Sequence, residues 1–424
     1  MDALVERLFR HEYGGIVAAL TRAMGPAELD LIDDAVQEAL IAALRTWSIR
    51  GVPDNPAGWL VRVARNRARD ELRRRARHPR FGDDDPSSSA GGFARLSDDA
   101  SSTDVDPFDA DATPVLADDR LRLVFTCCHP ALSPDSRVAL TLKCVSGFGV
   151  DEIARAFRAD ARAVAQRLVR AKRTLRDVRA EFAAPEVSEL PDRLDDVLTV
   201  VYAIFNEGHT ATAGDALFRR ELCEEALRLQ ELLVAWTPTA VPESHGLLAL
   251  MLLTTARLPA RLDAGRVVRL DRQDRARWDR RLIARGFDHL ARAASGERLT
   301  RYHIEAEIAA LHAQAPEYAS TDWARVVDAY DRLVRLAPTP MVHLARAIAM
   351  AERGDVRAAH AAVVSLTRDP ALASMPEVHA ARAELARRLG RSDEASRAYR
   401  TALELPSPDP VRHHLADELT RLSE

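Results

Sequence analysis

Val150-Asp-Glu-Ile-Ala-Arg-Ala-Phe157, a short link, and then Ala161-Arg-Ala-Val-Ala-Gln-Arg-Leu-Val-Arg-Ala-Lys-Arg-Thr-Leu175 read as two helices joined by a turn. In the second helix Val164, Leu168, Ala171 and Leu175 recur at offsets of four, three and four, so they share one face and are expected to pack against Ile153, Ala154 and Phe157. Burial of that stripe fixes the opposite face. It presents Gln166, Arg167, Arg170 and Arg173, with Arg162 at the helix start. Such groups suit phosphates and, from the N-terminal part of the helix, base edges in a major groove. A pair of amphipathic helices with a merely solvated arginine face has the same pattern, so the motif gains meaning only with a companion.

A companion lies upstream. Ala57-Gly-Trp-Leu-Val-Arg-Val-Ala-Arg-Asn-Arg-Ala-Arg-Asp-Glu-Leu-Arg-Arg-Arg75 predicts a helix whose Trp59, Leu60, Val63 and Ala64 are available for packing. Arg62, Arg65, Arg69 and Arg73 recur at helical spacing, with Asn66 on a nearby face. A basic stripe holding an amide suits phosphate contacts plus recognition of a base. A charged surface helix would look similar. Arginine is also weak evidence in this chain, where Lys143 and Lys172 are the sole lysines and the bias fits a GC-rich genome.

The remaining sequence bounds the alternatives. A length of 424 residues predicts two or three domains. Hydrophobic residues at 47% and charged residues at 29% match an ordinary soluble protein. No apolar run is long enough to span a bilayer, and the acidic start Met1-Asp-Ala-Leu-Val-Glu6 does not read as a secretory signal. A cytoplasmic protein with no membrane partner is expected. The four cysteines, Cys127, Cys128, Cys144 and Cys223, lack zinc-type spacing, and Cys127-Cys128-His129 has no second cluster to complete a metal site. No metal or other cofactor is expected. With a net charge of -4, any nucleic-acid footprint must be local.

Glycine and proline are sparse within long segments of three- and four-residue apolar spacing, and no convincing strand alternation occurs, so the fold class is all-α. Composition changes abruptly at 81–117 to Asp, Ser, Gly and Pro, which predicts a mobile acidic linker that buries too little apolar surface to offset chain entropy. A shorter break at 183–190 precedes a helical remainder. Near its end Gly354, Ala359, Val363 and Leu366 before Pro370 align with Gly390, Ala395, Tyr399 and Ala402 before Pro406. That period is close to the tetratricopeptide repeat (TPR) length of about 34.

Asp33-Asp-Ala-Val-Gln-Glu-Ala-Leu-Ile-Ala-Ala-Leu44, followed by Trp59 to Asp70 of the basic helix and by Arg73-Arg74, resembles region 2 of extracytoplasmic-function (ECF) sigma factors of the sigma-70 family. The later helix pair resembles their region 4. Phe125-Thr-Cys-Cys-His-Pro130, Phe205-Asn-Glu-Gly-His209, Gly246-Leu-Leu-Ala-Leu-Met251, Asp271-Arg-Gln-Asp-Arg-Ala-Arg-Trp278 and Thr321-Asp-Trp323 resemble the subgroup with a C-terminal TPR-like extension. The long acidic linker departs from that pattern.

The resemblance implies region 2 at 1–80, the linker at 81–117, region 4 at 118–182 and the extension at 183–424, with TPR-like repeats near 324–406. It implies a sigma factor that binds bacterial core RNA polymerase through Asp33, Asp34, Gln37 and Glu38. Asn55 and Asn66 are then candidates for the captured base of a melted -10 element, and Arg62, Arg65 and Arg69 for its phosphates. In the -35 duplex, Gln166 and Arg167 are first choices for base contact, with Arg170 and Lys172 nearer the backbone. Linker aspartates Asp83, Asp84, Asp98 and Asp99 are candidates to imitate nucleic acid in the polymerase channel. The extension is expected to regulate, with Asn206, Glu207 and His209 as a pocket for a regulatory protein or peptide, although the first two residues also suit helix capping. Glu207 and His209 lack a nucleophile or metal companion, so no catalysis is expected. A helix-turn-helix regulator with a TPR-like sensor that never joins polymerase is the alternative, and a protein-binding adaptor the third reading.

Overall fold

Apolar spacing of three and four becomes helix nearly throughout the computed structural model, which describes residues 2–77, 112–157, 159–210 and 216–422. The acidic stretch at 81–111, with its four candidate aspartates, lies outside the described residues. The chain forms two compact units, Met1–Ile153 with Ala161–Arg193, and Ala154–Asp160 with Leu194–Glu424.

The first unit holds α1 (Asp2–Met24), α2 (Leu29–Arg50), α3 (Pro56–Arg77), α4 (Ala112–Cys127), α5 (Pro134–Cys144), the start of α6 (Val150–Ala156) and α7 (Ala161–Asp177). Helix α4 begins inside the segment expected to be linker. Its core joins Tyr13, Ile16 and Leu20 of α1 to Leu29, Ile32 and Trp47 of α2, Leu60 of α3, Phe125 of α4 and Leu140 of α5, all at most 2% exposed. Each large apolar side chain so buried contributes about 1.5–3 kcal/mol before entropy is counted. Close approach of α1 to the end of α5 depends on Gly14, where a Cβ would lie 2.1 Å from the Val145 carbonyl oxygen. Ser133 starts α5, its Oγ accepting from Ser136 N, with Pro134 at the first helical turn where no N–H is needed.

The second unit continues with α8 (Leu190–His209), whose first turn lies in the first unit, then α9 (Arg220–Ala235) and α10 (Pro242–Thr255). A short antiparallel pair follows, β1 (Leu262–Asp263) and β2 (Arg266–Val267). Ala264 and Gly265 between them have φ of 46° and 77°, the two positive values a tight primed turn requires. Two-residue strands carry no alternation, so the sequence gives no sign of them. Then come α11 (Arg280–Ala293), α12 (Arg301–Gln314), α13 (Trp323–Leu336), α14 (Pro340–Arg353), α15 (Val356–Leu366), α16 (Pro370–Ala373), α17 (Pro376–Arg388), α18 (Ser392–Glu404) and α19 (Asp409–Arg421).

Helix α10 is apolar all round, with Leu247, Leu248, Met251, Leu252 and Leu253 wholly buried, because α9, α11 and α12 enclose it. Beyond it, consecutive helices pack as neighbours over cores centred on Val326 and Leu333, on Leu344 and Val363, and on Tyr399 and Leu415. The aligned segments occupy equivalent places. Gly354 ends α14 and Gly390 follows α17, with φ of 112° and 73°, left-handed values open to glycine at little cost. Ala359 and Ala395, both 0% exposed, then sit at the start of the helix that folds back.

Candidate polymerase and nucleic-acid interface

Helix α2 divides its polar residues between two faces. Asp34, Gln37 and Glu38 are exposed, and Ile41 and Leu44 continue that outer side at 50% and 41% exposure. Asp33 turns inward and is only 7% exposed. Its carboxylate accepts from the Tyr13 hydroxyl and meets Lys143 Nζ at 3.2 Å and Lys172 Nζ at 3.3 Å. Lys172 also reaches Asp30 at 3.2 Å. Burial raises the Asp33 carboxyl, but Lys172, Lys143 and Tyr13 outweigh it and leave the group below its ordinary value. Asp34 is raised by burial and then by neighbouring Asp33.

This cluster corrects two expectations. Asp33 does not share the outer face with Asp34, Gln37 and Glu38, and Lys172 does not lie on the exposed side of α7. Lys172 is one helical turn from Leu168, at the edge of the buried stripe, and its compact ammonium reaches a carboxylate that a planar guanidinium would fit less readily. A usable signal was present in the sequence. The chain's only two lysines, among 60 basic Lys and Arg residues, both converge on this one aspartate.

Helix α3 is started by Asn55, whose Oδ1 accepts from Gly58 N at 2.9 Å. Its inner side seats Leu60, Ala64 and Ala68, and Trp59 meets Trp47 edge to face at 5.4 Å. Arg62, Asn66, Arg69 and Arg73 are exposed, whereas Arg65 is partly enclosed. Arg73 lies 3.9 Å from Asp70. Arg62 and Arg69 have no carboxylate partner among the described residues.

In α7, Val164, Leu168, Ala171 and Leu175 are buried as their spacing requires, together with Ile153 and Ala154 of α6. Arg162, Gln166, Arg170 and Arg173 are exposed. Arg167 is partly covered and pairs with exposed Asp135 at 3.4 Å, and Arg173 approaches Asp177 at 3.8 Å. Arg162 and Arg170 are unpaired among the described residues. Two separate helices thus offer free guanidinium groups beside a free amide, Asn66 on one and Gln166 on the other.

In the extension, Asn206, Glu207 and His209 end α8 but turn to different partners. Asn206 is exposed and bonds to Tyr202, Glu207 is buried 3.7 Å from Arg219, and His209 stacks on Phe205 at 5.8 Å. All four cysteines are buried free thiols. Among the described residues no cluster of His, Cys, Asp or Glu could hold a metal ion, and no helix is long and apolar enough to cross a membrane.

Residues 8–78 match the family model of sigma-70 region 2, and residues 122–175 match that of sigma-70 region 4. Residues 193–294 match a family of unknown function, DUF6596. An uncharacterized protein of Rhizobium meliloti (strain 1021) is 39% identical over 414 residues, which cover 96% of this chain and 95% of that protein. The helical modules, in this order, define a DNA-binding subunit of bacterial RNA polymerase that acts in transcription initiation. The chain belongs to the ECF sigma factors of the sigma-70 family and carries a C-terminal DUF6596 extension. It binds core polymerase and directs promoter-specific initiation, and the free-standing regulator is not favoured.

Proposed function

We propose that this sigma factor meets core polymerase, in the cytoplasm, through the outer face of α2, with Asp34, Gln37 and Glu38 as polar contacts beside Ile41 and Leu44. Arg62, Asn66, Arg69 and Arg73 of α3 then hold the melted -10 strand, with Arg65 and Asn55 at its margin. Arg162, Gln166, Arg167 and Arg170 of α7, followed by Arg173, engage the -35 duplex. The observation that carries these assignments is the unneutralised state of Arg62, Arg69, Arg162 and Arg170 in a chain whose arginines are otherwise widely paired. Unpaired cations on a helix face are the form that phosphate recognition needs.

The extension acts in this reading as an in-chain control domain with TPR-like helix pairs, open to a regulatory protein or peptide. Two features support it. The end of α6 groups with the extension, where Arg219 Nη2 donates to the Arg155 carbonyl at 3.1 Å. The aligned helix-glycine-helix segments around Gly354 and Gly390 also belong to an architecture that commonly binds peptides. The reaction itself needs no catalytic residue from this chain.

Transcription with sigma-free core polymerase tests the assignments. Wild-type protein yields promoter-specific transcripts. Asp34→Arg with Glu38→Arg abolishes them while duplex binding persists, and Arg62→Ala with Arg69→Ala lowers open-complex formation. Full activity in the first variant sinks the docking assignment. Truncation after about residue 184 changes transcript yield if the extension regulates, and an unchanged yield removes that reading.

A further inference from the structure

Two guanidinium groups lie over the tryptophan of the Asp271–Trp278 motif, which promoter recognition leaves unused, and a third neighbours one of them. Arg257 follows α10 and lies over the Trp278 ring, 5.4 Å from its centroid, and Arg275 lies over the same ring at 4.5 Å. Arg275 Nη1 donates to the carbonyls of His312 and Ala315 at the end of α12, at 2.5 and 2.6 Å. Arg261, one helical turn beyond Arg257, donates to the His209 carbonyl at 2.5 Å and covers the Phe218 ring at 5.9 Å.

An enclosed guanidinium ordinarily faces a carboxylate. Among the described residues none of these three has an ion pair, and the Arg257 guanidinium has no hydrogen-bond partner. Arg257 Nε, Arg275 Nη2 and His312 Nδ1 are cut off from solvent without a partner. Crowded like charge has the expected consequence. Arg257 is pushed down to about 10 by burial and then by Arg261 and Arg275, and His312 down to about 3 by burial and then by the same Arg257 and Arg275.

A second arginine cluster shows the usual arrangement. In a cleft of about 340 Å³ in the same unit, Arg269, Arg387 and Arg388 all close on Glu384, at 3.5, 2.8 and 3.1 Å. Those arginines outweigh the burial of Glu384 and hold it at about 2. Each of these three arginines has a carboxylate partner. Arg257, Arg261 and Arg275 have none among the described residues.

We propose that Arg257, Arg261, Arg275 and Trp278 form a binding site for a small molecule presenting an oxyanion, a phosphate or a carboxylate. Arg257 Nη1 and Nη2, which unlike its Nε are not sealed from solvent, supply two donors to such a group. Trp278 already contacts both guanidinium groups through cation–π approach, so little side-chain entropy is lost when the anion arrives. His312 is neutral, and its idle Nδ1 lies beside the same arginines.

The test uses the full chain and isothermal titration calorimetry at constant ionic strength, with inorganic phosphate, pyrophosphate and citrate as separate probes. Saturable binding of either phosphate probe assigns a phosphoryl ligand, and of citrate alone a carboxylate ligand; each supports the site. Arg257→Met weakens the bound probe at least tenfold, and Arg257→Lys, which keeps the charge but loses the fork, weakens it less. Absence of saturable heat with all three probes, or unchanged affinity in Arg257→Met, overturns the proposal. Should Arg257→Met fail to fold, unchanged affinity in Arg257→Lys overturns the proposal and weakened affinity supports it. Calorimetry reads this site without polymerase or promoter, so its failure is separate from failure of the control-domain reading.

Discussion

Replacing Asp33 by Asn keeps the side chain's volume and removes the charge on which Tyr13, Lys143 and Lys172 converge. Removing one partner of a buried ion pair costs roughly 3–5 kcal/mol, because the other charge stays buried without compensation. Lys172 keeps Asp30 at 3.2 Å, so the lower end, about 3 kcal/mol, is expected. Urea unfolding of the full chain at pH 7 measures the loss, using the midpoint of whichever transition the variant moves, since a chain of two units need not unfold in one step. Lys172→Met completes a double-mutant cycle, and a coupling energy above about 1 kcal/mol is expected for groups in direct contact.

Acid supplies an independent check on the same cluster. The folded Asp33 carboxyl lies below its ordinary value, so its stabilisation is fully present above the unfolded value of about 3.9 and disappears as pH falls through the lower folded one. The difference between wild type and Asp33→Asn is therefore constant from about pH 5 to 7 and shrinks below about pH 4. Additive single effects, within about 0.5 kcal/mol, together with a difference that does not respond to acid, refute the reasoning.

Other perturbations address single features. Arg167→Ala should cost about 1–3 kcal/mol of promoter affinity if the side chain leaves Asp135 for a bidentate base contact, with relaxed selectivity at one position; a uniform loss across sequences in mobility-shift titrations would instead indicate a phosphate contact. Arg170→Ala should weaken duplex binding evenly and reduce the logarithmic salt slope by about 1, which titrations at several salt concentrations measure. Asn55→Ala should lower stability by about 1 kcal/mol through loss of the cap on α3, and Asn55→Asp, which can also cap, should recover most of it. Gly354→Ala meets no neighbour within 4 Å but must hold φ near 112°, so a loss of roughly 1–2 kcal/mol in thermal unfolding is expected from backbone strain alone.

Helical periodicity makes much of this protein readable from its sequence. Val164, Leu168, Ala171 and Leu175 fall on one face because 3.6 residues complete a turn, and that local geometry alone selects them for burial. The same reasoning separates Gln166 and Arg170 from them. Gly354 and Gly390 were legible as equivalent because each follows one helix and precedes a small residue in the next. Periodicity could not reveal β1 and β2, whose two residues each are shorter than any pattern. It also could not divide Asp33 from Asp34. Adjacent positions on a helix point about 100° apart, and which of the two meets a partner depends on what packs there.

The sequence by itself determined the helical class, the apolar inner stripes of α3 and α7, and, through its motifs, membership of the sigma factor family. Local spacing and chemistry suffice for these, since a helix's faces follow from its own residues. Tertiary structure alone decided that Asp33 turns to Lys143 and Lys172, residues more than 100 positions away, and that Arg257, Arg261 and Arg275 have no carboxylate partner among the described residues. Charge is a property that sequence counts one residue at a time, whereas its cost depends on burial and on the distance to the nearest opposite charge, and folding sets both.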